Sequence, residues 1–151
     1  MRSLRTANKL VRRALVPEAL LVNQALRKVQ RRPRVIARCE VPLLGRTIDL
    51  AFLLGRRIFT VEFKLHDWRR AIRQARDHRL GADYAYICMP TRTVSPALEA
   101  ELVDTGVGLC FYEDAAAWPF RVVVRAKRST DTWRVARAHL LEHLQSSWTA
   151  T

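Results

Sequence analysis

Arg46-Thr-Ile-Asp-Leu-Ala-Phe-Leu-Leu-Gly-Arg-Arg-Ile-Phe-Thr-Val-Glu-Phe-Lys64 is the stretch whose reading decides the fold. It holds two runs of apolar, β-branched and aromatic residues split by Gly55-Arg56, the Gly-first pattern of a tight type II′ hairpin turn. With these two as the turn, Leu54 faces Arg57; counting back along both strands, Asp49 faces Glu62 and Thr47 faces Lys64. Strand side chains alternate, so Glu62 and Lys64 share a face and Phe63 points the other way. Two opposed carboxylates, with β-carbons about 5 Å apart, repel each other unless something positive sits between them. Mg²⁺ suits that place, because it takes oxygen ligands and is commonly held by one or two carboxylates plus substrate phosphate oxygens. A lysine beside it can orient an attacking water, which completes the parts that phosphodiester hydrolysis needs. A solvated salt-bridge ladder is the plain alternative. Against it, an acid faces an acid here, and the neighbours on that face, Thr60 and Ala51, are small.

Outward from the hairpin, apolar periodicity predicts a helical segment over residues 3–31, with Leu10, Leu15, Leu20, Leu21, Val22, Leu26 and Val29 on its stripe. Pro17 interrupts that stripe, and Pro17-Glu18 opens a second helix. A strand is expected over Val35–Val41, then the hairpin strands Thr47–Leu54 and Arg57–Leu65. Asp67 reads as the N-cap of a helix from Trp68 to about Arg79, ended by Gly81, with Trp68, Ala71, Ile72 and Ala75 facing inward. Arg69, Arg70, Arg73 and Arg76 face outward. Asp83–Met89 reads as a buried strand reached by a parallel crossover. Pro96–Asp104 reads as a short helix, Gly106–Tyr112 as a buried strand, Phe120–Ala126 as an edge strand and Thr132–Leu144 as a last amphipathic helix. The order is that of an α/β domain, a mixed sheet with helices on both faces. No linker or repeat divides residues 1–151 into more than one unit.

The net charge is +13, and 23 of the 27 basic residues are arginine. Residues 1–38 hold eleven Lys or Arg against one acid, Glu18. Such an asymmetry calls for a polyanion, and the planar arginine fork suits phosphate, so nucleic acid is the expected partner, DNA first. The sequence holds no apolar run of membrane-spanning length and no apolar stretch of the secretory kind behind its basic start, so a soluble, cytoplasmic protein is expected. Cys39, Cys88 and Cys110 are far apart, each in or beside an apolar run, and read as buried reduced thiols rather than as a disulfide framework or zinc site.

The element order, together with Ile48-Asp49-Leu50 and Val61-Glu62-Phe63-Lys64 on the central hairpin, resembles the PD-(D/E)xK nuclease superfamily, whose core is αβββαβ. The resemblance covers about residues 15–113. It implies a restriction-endonuclease-like fold and a Mg²⁺- or Mn²⁺-dependent nuclease. In such a nuclease Asp49, Glu62 and the Phe63 carbonyl oxygen hold the metal and Lys64 assists the attacking water. Many members add a Glu from the first helix, where Glu18 is the available acid; Glu40, just before the hairpin, is its rival. Some carry Gln-x-x-x-Tyr in the helix after Glu-x-Lys, and this chain has Gln74-Ala-Arg-Asp-His78. Gln74 and His78 stand one turn apart on the flank that carries Arg70, so with Arg70 and Arg73 they are the expected nucleic-acid contacts. Asp67-Trp68, Ala71, Gln74-Ala75 and Ala82-Asp-Tyr84 also look like a small bacterial branch of the superfamily.

Two rival readings come from other classes. A nucleic-acid-binding or scaffold domain would keep the fold and basic surface without cutting. His139-Leu-Leu-Glu-His143 fits the H-x-x-E-H pattern of inverted zinc metalloproteases, but only eight residues follow it, too few for a distant third ligand. For the nuclease, a chain with no separate target-recognition domain suggests a homodimer or one subunit of a larger complex.

Overall fold

Gly55 takes a positive φ of 62°, as the first residue of a type II′ turn must, and Leu54 pairs with Arg57 across it. The predicted register therefore holds up to Leu50 opposite Val61. In this computed structural model residues 18–146 are described. They run α1 (Glu18–Gln30), β1 (Val35–Leu43), β2 (Arg46–Leu54), β3 (Arg57–Phe63), α2 (Trp68–His78), β4 (Tyr84–Met89), α3 (Pro96–Thr105), β5 (Gly108–Tyr112), β6 (Phe120–Val124) and α4 (Arg134–Gln145). The expected helix before Pro17, with Leu10 and Leu15, lies outside the described residues.

The six strands form one mixed sheet in sequential order, β1 to β6. β3, β4 and β5 are parallel, β1–β2, β2–β3 and β5–β6 antiparallel. Parallel neighbours need a crossover, which α2 and α3 supply. α1 packs Val22, Ala25 and Val29 on one face, over Leu50, Phe52, Val61 and Phe63. On the other face α2 and α3 cover β4 and β5, burying Trp68, Ala71, Ile72, Ala75, Leu98 and Leu102. Beside them α4 sets Ala136, Leu140 and Leu144 on Ala51, Leu53 and Ile58. Leu140 is fully buried, so cutting it to Ala would cost about 2–5 kcal/mol.

Alternation along the first hairpin breaks at one position. Ala37 and Cys39 of β1 and Leu50 and Phe52 of β2 belong to the core under α1, whereas Val41, Leu43 and Ile48 belong to the core under α4. An uninterrupted strand would keep each set on one face. The reversal falls at Glu40 and Asp49, where the β1–β2 ladder skips a pair and Glu40 has a left-handed φ of 52°.

Several boundaries move from the sequence reading. α2 stops at His78 with Arg79 as its right-handed cap, so Gly81 does not end it. Gly81 is instead a point of close approach, since a Cβ there would lie 2.8 Å from Leu140 Cδ1. Gly106, expected in a strand, caps α3 with φ 75°, and β5 begins at Gly108. Cys88 and Cys110 are buried and Cys39 only half-buried; all three are free thiols.

Candidate active site

The β2–β3 ladder ends at Leu50–Val61, and beyond it carboxylates take over from backbone carbonyls. The Asp49 N–H donates to Glu62 Oε1 at 3.1 Å, and the Phe63 N–H donates to Asp49 Oδ2 at 2.9 Å. The two acids thus clasp the opposite strand reciprocally, which holds both carboxyl groups in one place at the strand ends. Glu62 is 2% exposed and Asp49 half-buried. Desolvation raises the pKa of Glu62 to about 8, with the Asp49 charge as the next cause. Asp49 is also raised, chiefly by burial, while the Phe63 N–H and a hydrogen bond with Glu62 pull the other way. At neutral pH the pair is therefore biased toward sharing a proton.

Lys64 follows β3, its N–H donating to the Cys88 carbonyl at 3.1 Å to prolong the parallel ladder. Its ammonium lies 3.6 Å from Glu18 Oε2, and the other Glu18 oxygen accepts the Leu65 N–H at 3.3 Å. The first turn of α1 thus reaches the end of β3, and Glu18 joins Asp49, Glu62 and Lys64. Glu40 faces solvent from its left-handed position. The structure brings Glu18 to Lys64 and leaves Glu40 apart.

Helix α2 starts directly after the site. Asp67 caps it by accepting the Arg70 N–H at 3.1 Å. Arg69, Arg70, Arg73 and Arg76 are exposed, and Arg69, Arg73 and Arg76 line a groove of about 280 Å³ against α3. Gln74 is half-buried, its Oε1 enclosed without a hydrogen-bond partner. His78 does not join this flank as expected: it is 2% exposed, with Nε2 3.8 Å from Glu62 Oε1. Burial lowers its pKa to about 4, aided by the charge of Arg46, so it stands neutral behind Glu62. Its contact with Glu62 was missed, yet His78 lies three residues after Ala75 and seven after Ala71, in step with the buried stripe.

Among the described residues no three His, Cys, Asp or Glu side chains gather closely enough to hold a metal between them. On α4, His139 is exposed and His143 half-buried. Two carboxylates are the usual protein share for Mg²⁺, so the donor set fits that ion rather than zinc. No described helix is long and apolar enough to cross a membrane.

No protein family and no curated protein matches the chain by sequence. Among solved structures it is similar to an XisH family protein from Nostoc punctiforme, at 13% identity and a TM-score of 0.50, over 68% of this chain and 98% of that one. It is also similar to a fdxN element excision controlling factor protein from Anabaena variabilis, at 13% identity and a TM-score of 0.48, with the same coverage. At such identity the Nostoc likeness speaks for the fold alone.

Proposed function

We propose that this protein is a Mg²⁺- or Mn²⁺-dependent nuclease of the PD-(D/E)xK kind that hydrolyses DNA phosphodiesters. One observation carries the reading: a half-buried Asp49 and a buried Glu62, their carboxyls fixed together at the strand ends beside Lys64. A dicarboxylate kept out of water at such cost suits a cation, and Asp49, Glu62 and the Phe63 carbonyl would hold it. When bound, the metal supplies positive charge for the phosphoryl oxygens as negative charge builds on them. Asp49 and Glu62 must lose their shared proton to take it. Lys64 orients the attacking water with its ammonium, and Glu18 holds that ammonium in place. Arg70 and Arg73 take backbone phosphates without reading sequence.

A second reading, a nucleic-acid-binding domain that does not cut, is favoured by the satisfaction of the acids as they stand. Each carboxylate already accepts a backbone N–H, and a proton settles the charge between them. Plasmid cleavage with and without Mg²⁺ separates the two. Calorimetric titration with Mn²⁺ of the parent, Asp49→Ala and Glu62→Ala locates the metal, and unchanged binding by Asp49→Ala would sink the assignment.

A further inference from the structure

We propose that the cleft between the end of α1 and the loop leading into β6 is a docking site for single-stranded nucleic acid, holding one unpaired base on Trp118. It goes beyond the cleavage reading, being built from different residues and needing no metal. Lys28, Arg31, Arg32, Ala117 and Trp118 line a pocket of about 320 Å³, within the size range of small-ligand sites. Trp118 stands half-buried at its edge, set edge-on against Phe52 and Phe120 with ring centroids 5.7 and 5.8 Å away. Those contacts brace the indole ring where it lines the pocket. The Arg32 guanidinium lies 5.0 Å from the ring centroid. A base stacking on Trp118 would take the place of this guanidinium, whose exposed side chain would then turn to a backbone phosphate.

The loop carrying Trp118 is tied down by a lysine. Lys28 Nζ donates to the Glu113 carbonyl at 3.0 Å and to the Asp114 carbonyl, so it positions the loop rather than meeting phosphate. Arg31 and Arg32 are exposed and form the basic rim. Of the nearby acids, Glu113 is paired with Arg121 at 2.7 Å, and Asp114 faces solvent without lining the pocket. Trp118 also lines a second, apolar cleft with Phe52, Phe59, Tyr86 and Phe120. An aromatic platform inside a cationic rim is what unpaired strands bind, the base by its π-face and the backbone by charge. A duplex hides its base faces within the stack, so this site selects single strands. Charge complementarity with the arginine rim names the occupant over an apolar peptide.

The test uses the full-length protein in EDTA with short fluorescein-labelled oligothymidylate, read by anisotropy. Parent protein should bind it, and Trp118→Leu, which keeps an apolar filling but removes the stacking face, should weaken binding on the order of tenfold. Affinity for a duplex of equal length should not change in that variant. Replacing Arg31 and Arg32 by Ser should flatten the slope of log K against log salt by roughly 0.7 for each lost phosphate contact. Photo-crosslinking of a 5-iodouracil oligonucleotide to the parent protein, mapped by mass spectrometry, decides the case even if Trp118→Leu fails to fold. A crosslink at Trp118 is expected. Crosslinks confined to other sites, or a folded Trp118→Leu that binds undiminished, would overturn the proposal.

Discussion

Replacing Glu62 by Gln should make the metal-free protein more stable, by an amount that grows with pH. The carboxamide has the shape of the protonated carboxyl, accepts the same Asp49 N–H and carries no charge. Glu62 is raised from 4.5 to about 8, so between those values the folded protein keeps a proton that the unfolded chain has released. The folded state then binds more protons, and stability falls as pH rises through that window. At 1.36 kcal/mol per unit the whole fall amounts to ~5 kcal/mol, of which roughly 3 kcal/mol is already lost at neutral pH. Below 4.5 the contribution is intact, and above 8 the loss levels off. Glu62→Gln has no proton to lose, so its curve lacks this fall. The variant should match the parent near about pH 4 and exceed it by ~5 kcal/mol near about pH 9. For a chain of this length that is a melting shift of roughly 10–20 °C.

Urea unfolding followed by circular dichroism in EDTA at several pH values measures the difference directly. A gap between the proteins that does not change with pH would refute the buried-carboxylate reasoning, as would a variant less stable than the parent on the alkaline side. Millimolar Mg²⁺ gives the companion measurement. A cation that displaces the shared proton should stabilise the parent more as pH rises, and Glu62→Gln much less.

Lys64→Ala should abolish cleavage while Mn²⁺ binding survives in calorimetry, since the ammonium pairs with Glu18 and is not a ligand. Glu18→Gln keeps an acceptor for the Leu65 N–H but loses its charge, so cleavage should drop at least tenfold with little change in melting temperature; a fully active variant would end its role. Arg70→Ala with Arg73→Ala should weaken binding of every DNA sequence alike in a Ca²⁺-loaded protein and flatten the salt slope by about one unit per lost phosphate contact. Gly108→Ala should destabilise the fold whatever the pH, because its Cβ would run into the Tyr86 ring and the Ala126 backbone nitrogen, and thermal melting checks it.

The sheet was legible because its signals are local. Gly55-Arg56 sets a turn type, the turn sets the register, and the register puts Asp49 near Glu62 without any long-range information. The helix cap Asp67 was likewise written in the sequence, its side chain accepting an N–H three residues on. His78 was misread for a different reason. Its one-turn spacing from Gln74 suggested a shared polar flank, but α2 buries Trp68, Ala71, Ile72 and Ala75, and His78 continues that stripe. Periodicity outranked residue chemistry there. Gly81 misled because glycine after a helix signals a left-handed cap, whereas here the tight packing of α4 requires it.

The break in alternation at Glu40 and Asp49 was not legible, and it accounts for the geometry of the site. Strict alternation would place Ile48 under α1 with Leu50, and the acid between them would sit in an ordinary ladder position. In the structure Ile48 turns to the α4 side, the β1–β2 ladder skips a pair at this level and the β2–β3 ladder ends at Leu50. The freed backbone groups of Asp49 and Phe63 must find partners, because a buried unpaired N–H costs as much as a lost hydrogen bond. The two carboxylates provide them. The acids are thus held where the sheet opens, and each carboxylate gives one oxygen to a backbone N–H. Glu40 absorbs the reversal with its left-handed backbone, a conformation costly for a residue other than glycine. Its part in the site is then conformational: it interrupts the β1–β2 ladder for one pair opposite Asp49 before pairing resumes at Val41–Ile48, while its own side chain stays in solvent.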